Sequence, residues 1–220
     1  MPTKTLALVH TSATLVPMFQ QLCAEHLPGV QTFNIVDDSL VRTINREGSL
    51  TPAVARRVVN YVTSAEEGGA DYVLVTCSSI GAAVEQAAGL AGVPVLRVDQ
   101  PMADQAVQTG RRIGVIATLA TTLGPTSDLV QRRAARAGKE IELTSVLCEG
   151  AFESLMSGDG ARHDAIVAAA LKDLVTKVDV VVLAQASMAR VVDALAAADR
   201  LVPILASPGI AIRHLASELG

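Results

Sequence analysis

The stretch ADYVLVTCSSIGAAV (residues 70–84) decides the fold, because the chain repeats its pattern as VDVVVLAQASMARVV (residues 178–192), 108 positions further on. Each copy begins with an apolar run typical of a buried strand and continues into small residues that predict the start of a helix. A second pair, LALVHTSATLVP (residues 6–17) and GVIATLATTLGP (residues 114–125), falls into register at the same displacement without a gap. The shared displacement indicates two halves of similar build.

Around these junctions, runs rich in Val, Ile and Leu alternate with Ala-rich helical stretches along the whole chain. This alternation predicts an α/β protein in which helices cover parallel sheets. Strands are predicted over residues 4–9, 30–36, 71–76, 93–98, 112–117, 141–146, 178–184 and 202–206. Helices are predicted over residues 15–26, 51–67, 79–90, 125–137, 160–176, 187–198 and 209–219.

The repeat predicts two similar Rossmann-like lobes related by a pseudo-twofold axis, each a parallel sheet flanked by helices. The first lobe is expected over residues 1–100 and 207–220, and the second over residues 101–206. The Gln100-Pro101 step, which favours the start of a helix, marks the first crossing between them. Duplicated halves usually place corresponding strand ends face to face, so the active site is expected in a cleft between the lobes.

The composition disfavours several classes of protein. The 18 Lys and Arg against 22 Asp and Glu leave a net charge of −4 without a basic stripe, which disfavours nucleic-acid binding. Apolar runs stay below the roughly 18 residues of a membrane span, and Leu6–Val9 is too short for a signal peptide, so the cytoplasm is the expected location. The cysteines lack metal-site or disulfide spacing and no glycine-rich phosphate loop follows a strand, so neither a metal site nor a nucleotide-binding site is expected.

Cys77 is the candidate catalytic residue, because it stands where a predicted buried strand ends and the next helix is about to begin. The free N–H groups and positive dipole end of a helix N-terminus lower the pKa of a thiol and bind carboxylates. The alternative is that Cys77 is a small buried packing residue. Cys148 is expected in the core or at a strand end.

Several segments, in this order and spacing, resemble the aspartate/glutamate/hydantoin racemase superfamily. TCSS (residues 76–79) is similar to the first-half motif CNT or CST, and GVIATLAT (residues 114–121) resembles the family's GVLAT-x-x-T strand and loop. The opening LVHTS (residues 8–12) also fits, so the resemblance covers most of the chain. In LAQAS (residues 183–187), Gln185 stands where the family carries its second cysteine in a GCT motif.

This resemblance implies chemistry without a cofactor. In the two-cysteine racemases, one thiolate removes the proton alpha to a carboxylate while the opposing thiol delivers a proton to the other face. The implied substrate is a small carboxylate or amino-acid-like molecule, and the matching carboxylate-holding positions are Ser78, Ser79, Ala186 and Ser187. Gln185 cannot exchange a proton at neutral pH, so strict two-thiol racemisation is not expected and Gln185 becomes a polar substrate contact.

Three chemistries remain open for one thiol. Cys77 could transfer a proton on one face, as in the related arylmalonate decarboxylases, although those retain the second-half cysteine. It could add to an alkene, as the first-half cysteine does in the related maleate isomerases. It could also work with His10 as a second acid/base in a racemase or epimerase. The alternative from another class is a non-catalytic binding protein for small acids on the same scaffold. A homodimer is the expected assembly.

Further polar residues follow predicted strands and are expected to contact the substrate. They are Thr11, Ser12, Asp38, Ser39, Thr118 and Thr121. Structural alternatives are a hydrogen bond to a neighbour for His10, a solvated turn or helix cap for Asp38, and helix or turn capping for Thr118 and Thr121.

Overall fold

The computed structural model describes residues 3–219, except for the side chain of Asp193. The strands are β1 (Thr5–His10), β2 (Gln31–Val36), β3 (Tyr72–Val75), β4 (Val95–Arg97), β5 (Arg112–Ala117), β6 (Glu142–Leu147), β7 (Val180–Leu183) and β8 (Ile204–Ala206). The helices are α1 (Val16–His26), α2 (Ser39–Glu47), α3 (Pro52–Glu67), α4 (Gly81–Ala88), α5 (Gln100–Thr109), α6 (Ala120–Arg136), α7 (Ala151–Met156), α8 (Gly160–Leu174), α9 (Ala189–Ala194) and α10 (Ser207–Leu219). Short 3-10 turns span Ala13–Leu15, Ser78–Ile80, Ala186–Met188 and Ala197–Asp199.

Two units make up the chain, one formed by residues 1–100 and 208–220 and the other by residues 101–207. The first contains a sheet in the order β2-β1-β3-β4, and the second contains a sheet in the order β6-β5-β7-β8. The strand pairs of both sheets are parallel. The predicted pair of α/β lobes, each a parallel sheet flanked by helices, is therefore confirmed.

Alternate residues of the central strands in the first unit enter two different apolar clusters. One cluster joins helices α2, α3 and α4 to Ala7, Val9, Val73 and Val75. The other joins α1 and the C-terminal helix α10 to Leu6, Leu8 and Leu74. Strands buried on both faces need apolar side chains at every position, which explains the unbroken apolar runs in the sequence. This packing holds the carboxyl ends of β1 and β3 in place.

The second unit is built in the same way. Strand β7 is buried along its whole length, and its residues Val181 and Leu183 share an apolar cluster with helices α8 and α9. Helix α6 contacts β5 and β6. Gly114 allows α8 to approach β5 closely, since a Cβ at that position would lie 2.9 Å from Cδ2 of Leu174.

The strand registers correct the predicted repeat by one residue. Leu6 pairs with Tyr72, and Ile113 pairs with Val180. The third strands of the two units therefore correspond at a displacement of 108 residues, whereas the first strands correspond at 107. The gapless displacement of 108 was wrong for β1 and β5. Only backbone pairing reveals this, because sliding a sequence along itself scores side-chain identities and cannot detect a one-residue shift in apolar strands.

Helix α6 begins at Ala120, five residues earlier than predicted. The N–H groups of Thr122 and Leu123 both bond to the carbonyl of Leu119, so the first turn forms ahead of Pro125. Pro125 lies inside the helix and lacks the N–H that would bond the carbonyl of Thr121, but the helix continues through it. The prediction that Thr121 lies on a loop was therefore wrong.

Helix α2 was not predicted, because it is short and mainly polar. It forms where tertiary packing supplies a partner, since its Leu40 and Ile44 are buried in the apolar cluster against α3 and β1. Most helical stability in proteins comes from such packing rather than from intrinsic propensity.

Candidate active site

Cys77 lies two residues after the end of β3 and has an extended backbone that opens the 3-10 turn Ser78–Ile80. Helix α4 begins immediately after that turn. The Cys77 side chain is partly accessible, although its neighbours Thr76, Ser78 and Ser79 are buried. The predicted junction of strand end, thiol and helix start is therefore present in the structure.

Four hydrogen-bond donors converge on the sulfur of Cys77. They are the hydroxyl groups of Thr11 and Ser79 and the backbone N–H groups of Ser79 and Ile80. Each of these donors stabilises the thiolate. Thr11 comes from the end of β1, so two strand ends together build the surroundings of the thiol.

Burial nevertheless dominates the acidity of this thiol. Removal of water raises the pKa of Cys77 above 9.0, and the donors from Thr11, Ser79 and Ile80 offset this only in part. The expectation of a lowered pKa was wrong, because desolvation of the charged sulfur outweighs the helix start and the hydroxyl groups. Cys77 is therefore mainly a neutral thiol near pH 7, ready to donate a proton.

Because the pKa of Cys77 is raised, we expect its alkylation by iodoacetamide to accelerate about tenfold per pH unit from about pH 7 to about pH 9. The rate should be followed by mass spectrometry of the peptide that contains Cys77. Cys23 and Cys148 serve as internal controls, since burial raises the pKa of each to about 11. A rate that levels off below about pH 8 would show that the thiolate forms more easily than the structure indicates.

The second unit carries a matching contact around Gln185, which follows β7 and opens the turn Ala186–Met188. Oε1 of Gln185 accepts from the backbone N–H of Thr118 at 2.6 Å and from the Thr118 hydroxyl at 3.0 Å. The displacement of 107 in the first strands matches Thr118 with Thr11. In both units, a threonine after the first strand thus bonds the residue after the third.

These bonds determine the orientation of the Gln185 side-chain amide. A backbone N–H can only donate, so the atom facing Thr118 is the amide oxygen, and both of its lone pairs are engaged. The amide nitrogen then carries the N–H groups that Gln185 can offer a ligand. The side chain is partly accessible and is a hydrogen-bond donor rather than an acid or base.

His10 lies in the interior of the first unit. The side chain is fully buried, its Nδ1 lies 2.8 Å from Oγ1 of Thr76, and its Nε2 lies 2.9 Å from Oδ1 of Asn34. Burial lowers the pKa of His10 below 6.5, although the bond to Asn34 opposes the change. The predicted role of His10 as a second acid/base finds no support, because both ring nitrogens are hydrogen-bonded in the interior of the protein.

The loop after β2 is held by the carboxylate of Asp37. It accepts from the Ser39 hydroxyl at 2.7 Å, from the Tyr61 hydroxyl at 2.6 Å and from the guanidinium of Arg57. Burial alone would raise the pKa of Asp37, but these hydrogen bonds and the Arg57 charge outweigh it, so the net pKa is lowered. Ser39, predicted as a substrate contact, is therefore engaged within this network.

Other residues that were predicted to contact the substrate bond to near neighbours in sequence or form a turn. Asp38 is mostly exposed and pairs with Arg42 one helical turn away, with Oδ1 and the guanidinium nitrogen 3.0 Å apart. The Ser12 hydroxyl lies 2.8 Å from the Thr14 hydroxyl. Ala186 and Ser187 form the turn after Gln185, with Ser187 exposed.

A buried ion pair supports the helix that follows Cys77. The guanidinium of Arg97 donates two hydrogen bonds of 2.9 Å to Asp99 and one of 2.5 Å to Glu85. The side chains of Arg97 and Asp99 are 3% and 0% exposed. A Cβ on Gly81 would overlap the guanidinium where Asp99 holds it, so a larger residue at the first position of α4 would require Arg97 to move.

Sequence reasoning missed the roles of Asn34, Arg97 and Asp99. They lie on strands or beside strand ends far from Cys77 in sequence, and no spacing pattern signals their contacts.

No helix within residues 3–219 is long and apolar enough to cross a membrane. The described part of the chain also contains no group of three or more His, Cys, Asp or Glu side chains placed to hold a metal ion.

Two similar α/β units, one with a thiol shortly after its third strand and the other with an amide at the corresponding position, define a duplicated α/β protein. A family model described as Asp/Glu/Hydantoin racemase matches residues 8–215. The chain belongs to this family, which confirms the resemblance read from its motifs. The racemase family indicates an isomerase that acts on small amino-acid-like molecules.

Solved structures of racemases share the fold. A protein of Yersinia pestis assigned as an Asp/Glu racemase superposes with a TM-score of 0.79 at 18% identity, covering 98% of this chain and 99% of that one. A glutamate racemase of Bacillus anthracis gives 0.72 at 18% identity, covering 100% and 82%. An allantoin racemase of Klebsiella pneumoniae gives 0.67 at 15% identity, covering 98% and 87%. No curated protein sequence matches the chain significantly.

Proposed function

We propose that the protein is a cofactor-independent enzyme of the racemase family that transfers a proton at the carbon alpha to a carboxylate or carbonyl group of a small acid, with Cys77 as its only thiol acid/base. The convergence of four donors on the sulfur of Cys77, a residue of intermediate burial, carries this proposal. A thiol needed only for packing gains nothing from groups that stabilise its anion.

The proposed reaction uses one face of the substrate. The thiolate of Cys77, which is the minor form near pH 7, takes the alpha proton, the C–H bond breaks, and its electron pair moves onto the carboxylate or carbonyl oxygen as an enolate. The same sulfur returns a proton to the carbon after exchange with solvent. The hydroxyls of Thr11 and Ser79 hold the sulfur in both protonation states, as donors to the thiolate and acceptors from the thiol.

Gln185 supports a one-sided reaction. Its oxygen is occupied by Thr118, and its amide N–H groups neither gain nor lose protons near neutral pH. In the proposed enzyme these N–H groups bind an acceptor atom of the substrate, such as a carboxylate oxygen. Proton exchange should then proceed with retained configuration instead of racemisation.

The raised pKa of Cys77 favours a second candidate, a decarboxylase. In this reaction a C–C bond breaks, carbon dioxide leaves, and the carbon that keeps the electron pair takes the thiol proton. Solvent then reprotonates the thiolate. A neutral thiol at pH 7 is already in the form that this step needs.

Two further alternatives follow from the same residues. Cys77 could add to an alkene and leave again after bond rotation, which gives cis–trans isomerisation. The replacement of the family's second cysteine by Gln185 also suits a binding protein without activity, since the amide keeps a polar contact and loses the acid/base.

Proton NMR in deuterium oxide distinguishes these functions. The wild-type protein should be incubated with amino acids, hydantoins, hydroxy acids, arylmalonates and maleate, with protein-free samples as controls. Loss of the alpha C–H signal with unchanged optical rotation supports the proposal, whereas racemisation would require a second acid/base. Formation of carbon dioxide or fumarate would select the decarboxylase or the isomerase. Ligand binding without any chemical change would overturn the enzymatic proposal.

A further inference from the structure

The buried pair His10–Thr76 has no part in the chemistry proposed for Cys77. A neutral imidazole has one donor and one acceptor nitrogen, so Nε2–H donates to Asn34 Oδ1 and Nδ1 accepts from the Thr76 hydroxyl. The carbonyl of Val9, 3.2 Å from the Thr76 hydroxyl, is a second acceptor that shares the single proton of this hydroxyl with Nδ1. The ring of His10 packs on Phe19 with 5.5 Å between centroids.

The position of this pair links it to the thiol. His10 directly precedes Thr11, and Thr76 directly precedes Cys77. The backbone N–H of Thr76 donates to the carbonyl of Val9 at 3.0 Å, so main-chain and side-chain bonds together tie the end of β1 to the end of β3. The next residue on each chain segment is a member of the Thr11–Cys77 hydrogen bond.

The second unit lacks this side-chain pair. The strand registers match His10 with Ala117 and Thr76 with Ala184, at displacements of 107 and 108 residues. Two alanines therefore stand where the thiol-bearing unit has a buried histidine and threonine. The contact between Thr118 and Gln185 forms without such a pair, since a backbone N–H and a hydroxyl both bind the long amide side chain.

We infer that His10 and Thr76 are positioning residues, which hold Thr11 and the turn after Cys77 so that their donors meet the sulfur. The short cysteine side chain cannot reach toward a displaced partner as glutamine can. A hydrogen bond to a charged sulfur also weakens steeply with distance and angle. This inference rests on the proposed role of Cys77 as the reacting thiol and gives His10 a function other than acid/base catalysis.

Paired substitutions at Thr76 test the inference. Thr76→Val removes the hydroxyl at nearly constant shape, and Thr76→Ser retains it. We expect the valine variant to slow alkylation of Cys77 by about tenfold at fixed pH and to move the pH profile up by about one unit, because stabilisation of the thiolate is lost. The serine variant should restore the wild-type rate within about twofold.

A double variant covers the case in which Thr76→Val does not fold. His10→Ala with Thr76→Ala installs the alanines of the second unit and leaves no buried imidazole nitrogen without a partner. Slow alkylation in this variant, with unchanged reactivity at Cys23 and Cys148, supports the inference. The inference would be overturned if Cys77 in the valine and double variants were alkylated at the wild-type rate. It would also be overturned if the serine variant were slowed as much as the valine variant. Alkylation needs no substrate, so failure of the proposed enzymatic reaction would appear separately.

Discussion

Cys77→Ser is expected to lower the rate of alpha-proton exchange by about a hundred- to ten-thousandfold, the usual contribution of a positioned acid/base. Serine is close in shape and keeps the hydrogen bonds from Thr11 and from the N–H groups of Ser79 and Ile80. Its hydroxyl is far less acidic than a thiol, so the proton transfer fails while the surroundings persist. The substitution should lower kcat and leave KM nearly unchanged.

Deuterium incorporation into the substrate that the wild type accepts measures this effect directly. Cys148→Ala is the matched control, because Cys148 is a buried cysteine in the second unit and takes no part in the proposed chemistry. Its exchange rate per folded molecule should equal that of the wild type. Exchange by Cys77→Ser within about tenfold of the wild-type rate would assign the chemistry to another group.

Asp99→Ala is expected to lower the free energy of unfolding by about 3–5 kcal/mol, because it leaves the buried charge of Arg97 without its principal partner. Asp99 is fully buried and binds the guanidinium through both carboxylate oxygens. Glu85 remains as a partner, but it is 36% exposed and binds a single nitrogen. The displaced guanidinium would also lose its fit against Gly81.

Urea unfolding followed by circular dichroism provides the measurement. Asp38→Ala is the control, since the exposed pair of Asp38 and Arg42 contributes no more than about 1 kcal/mol. A decrease below about 1 kcal/mol for Asp99→Ala would mean that solvent or Glu85 fully compensates Arg97. If urea unfolding shows two transitions, the transition of the unit formed by residues 1–100 and 208–220 is the one to compare, since it contains Asp99.

The eight predicted strands all appear, each within about two residues of its predicted ends, because buried parallel strands require unbroken apolar runs that are visible in sequence. The helices were less predictable. Helix α6 begins five residues before its predicted start, and α2 gives no periodic signal because it has only Leu40 and Ile44 as buried residues.

The candidate site was likewise predictable from the sequence only in part. The repeat identified Cys77 and Gln185 as corresponding residues, and their positions after β3 and β7 agree with the prediction. The contacts of His10 were not predictable, since its partners Asn34 and Thr76 lie 24 and 66 residues away. Only the pairing of β1 with β2 and β3 brings these side chains together.

The sequence by itself determined the two α/β halves, the family, and the exchange of a thiol for an amide at the second junction, because each of these depends on residue type and local periodicity. Tertiary structure alone decided the raised pKa of Cys77, the interior position of His10 and the orientation of the Gln185 amide. These properties depend on how much water reaches a group and which dipoles face it. Both quantities arise only when segments distant in sequence pack together.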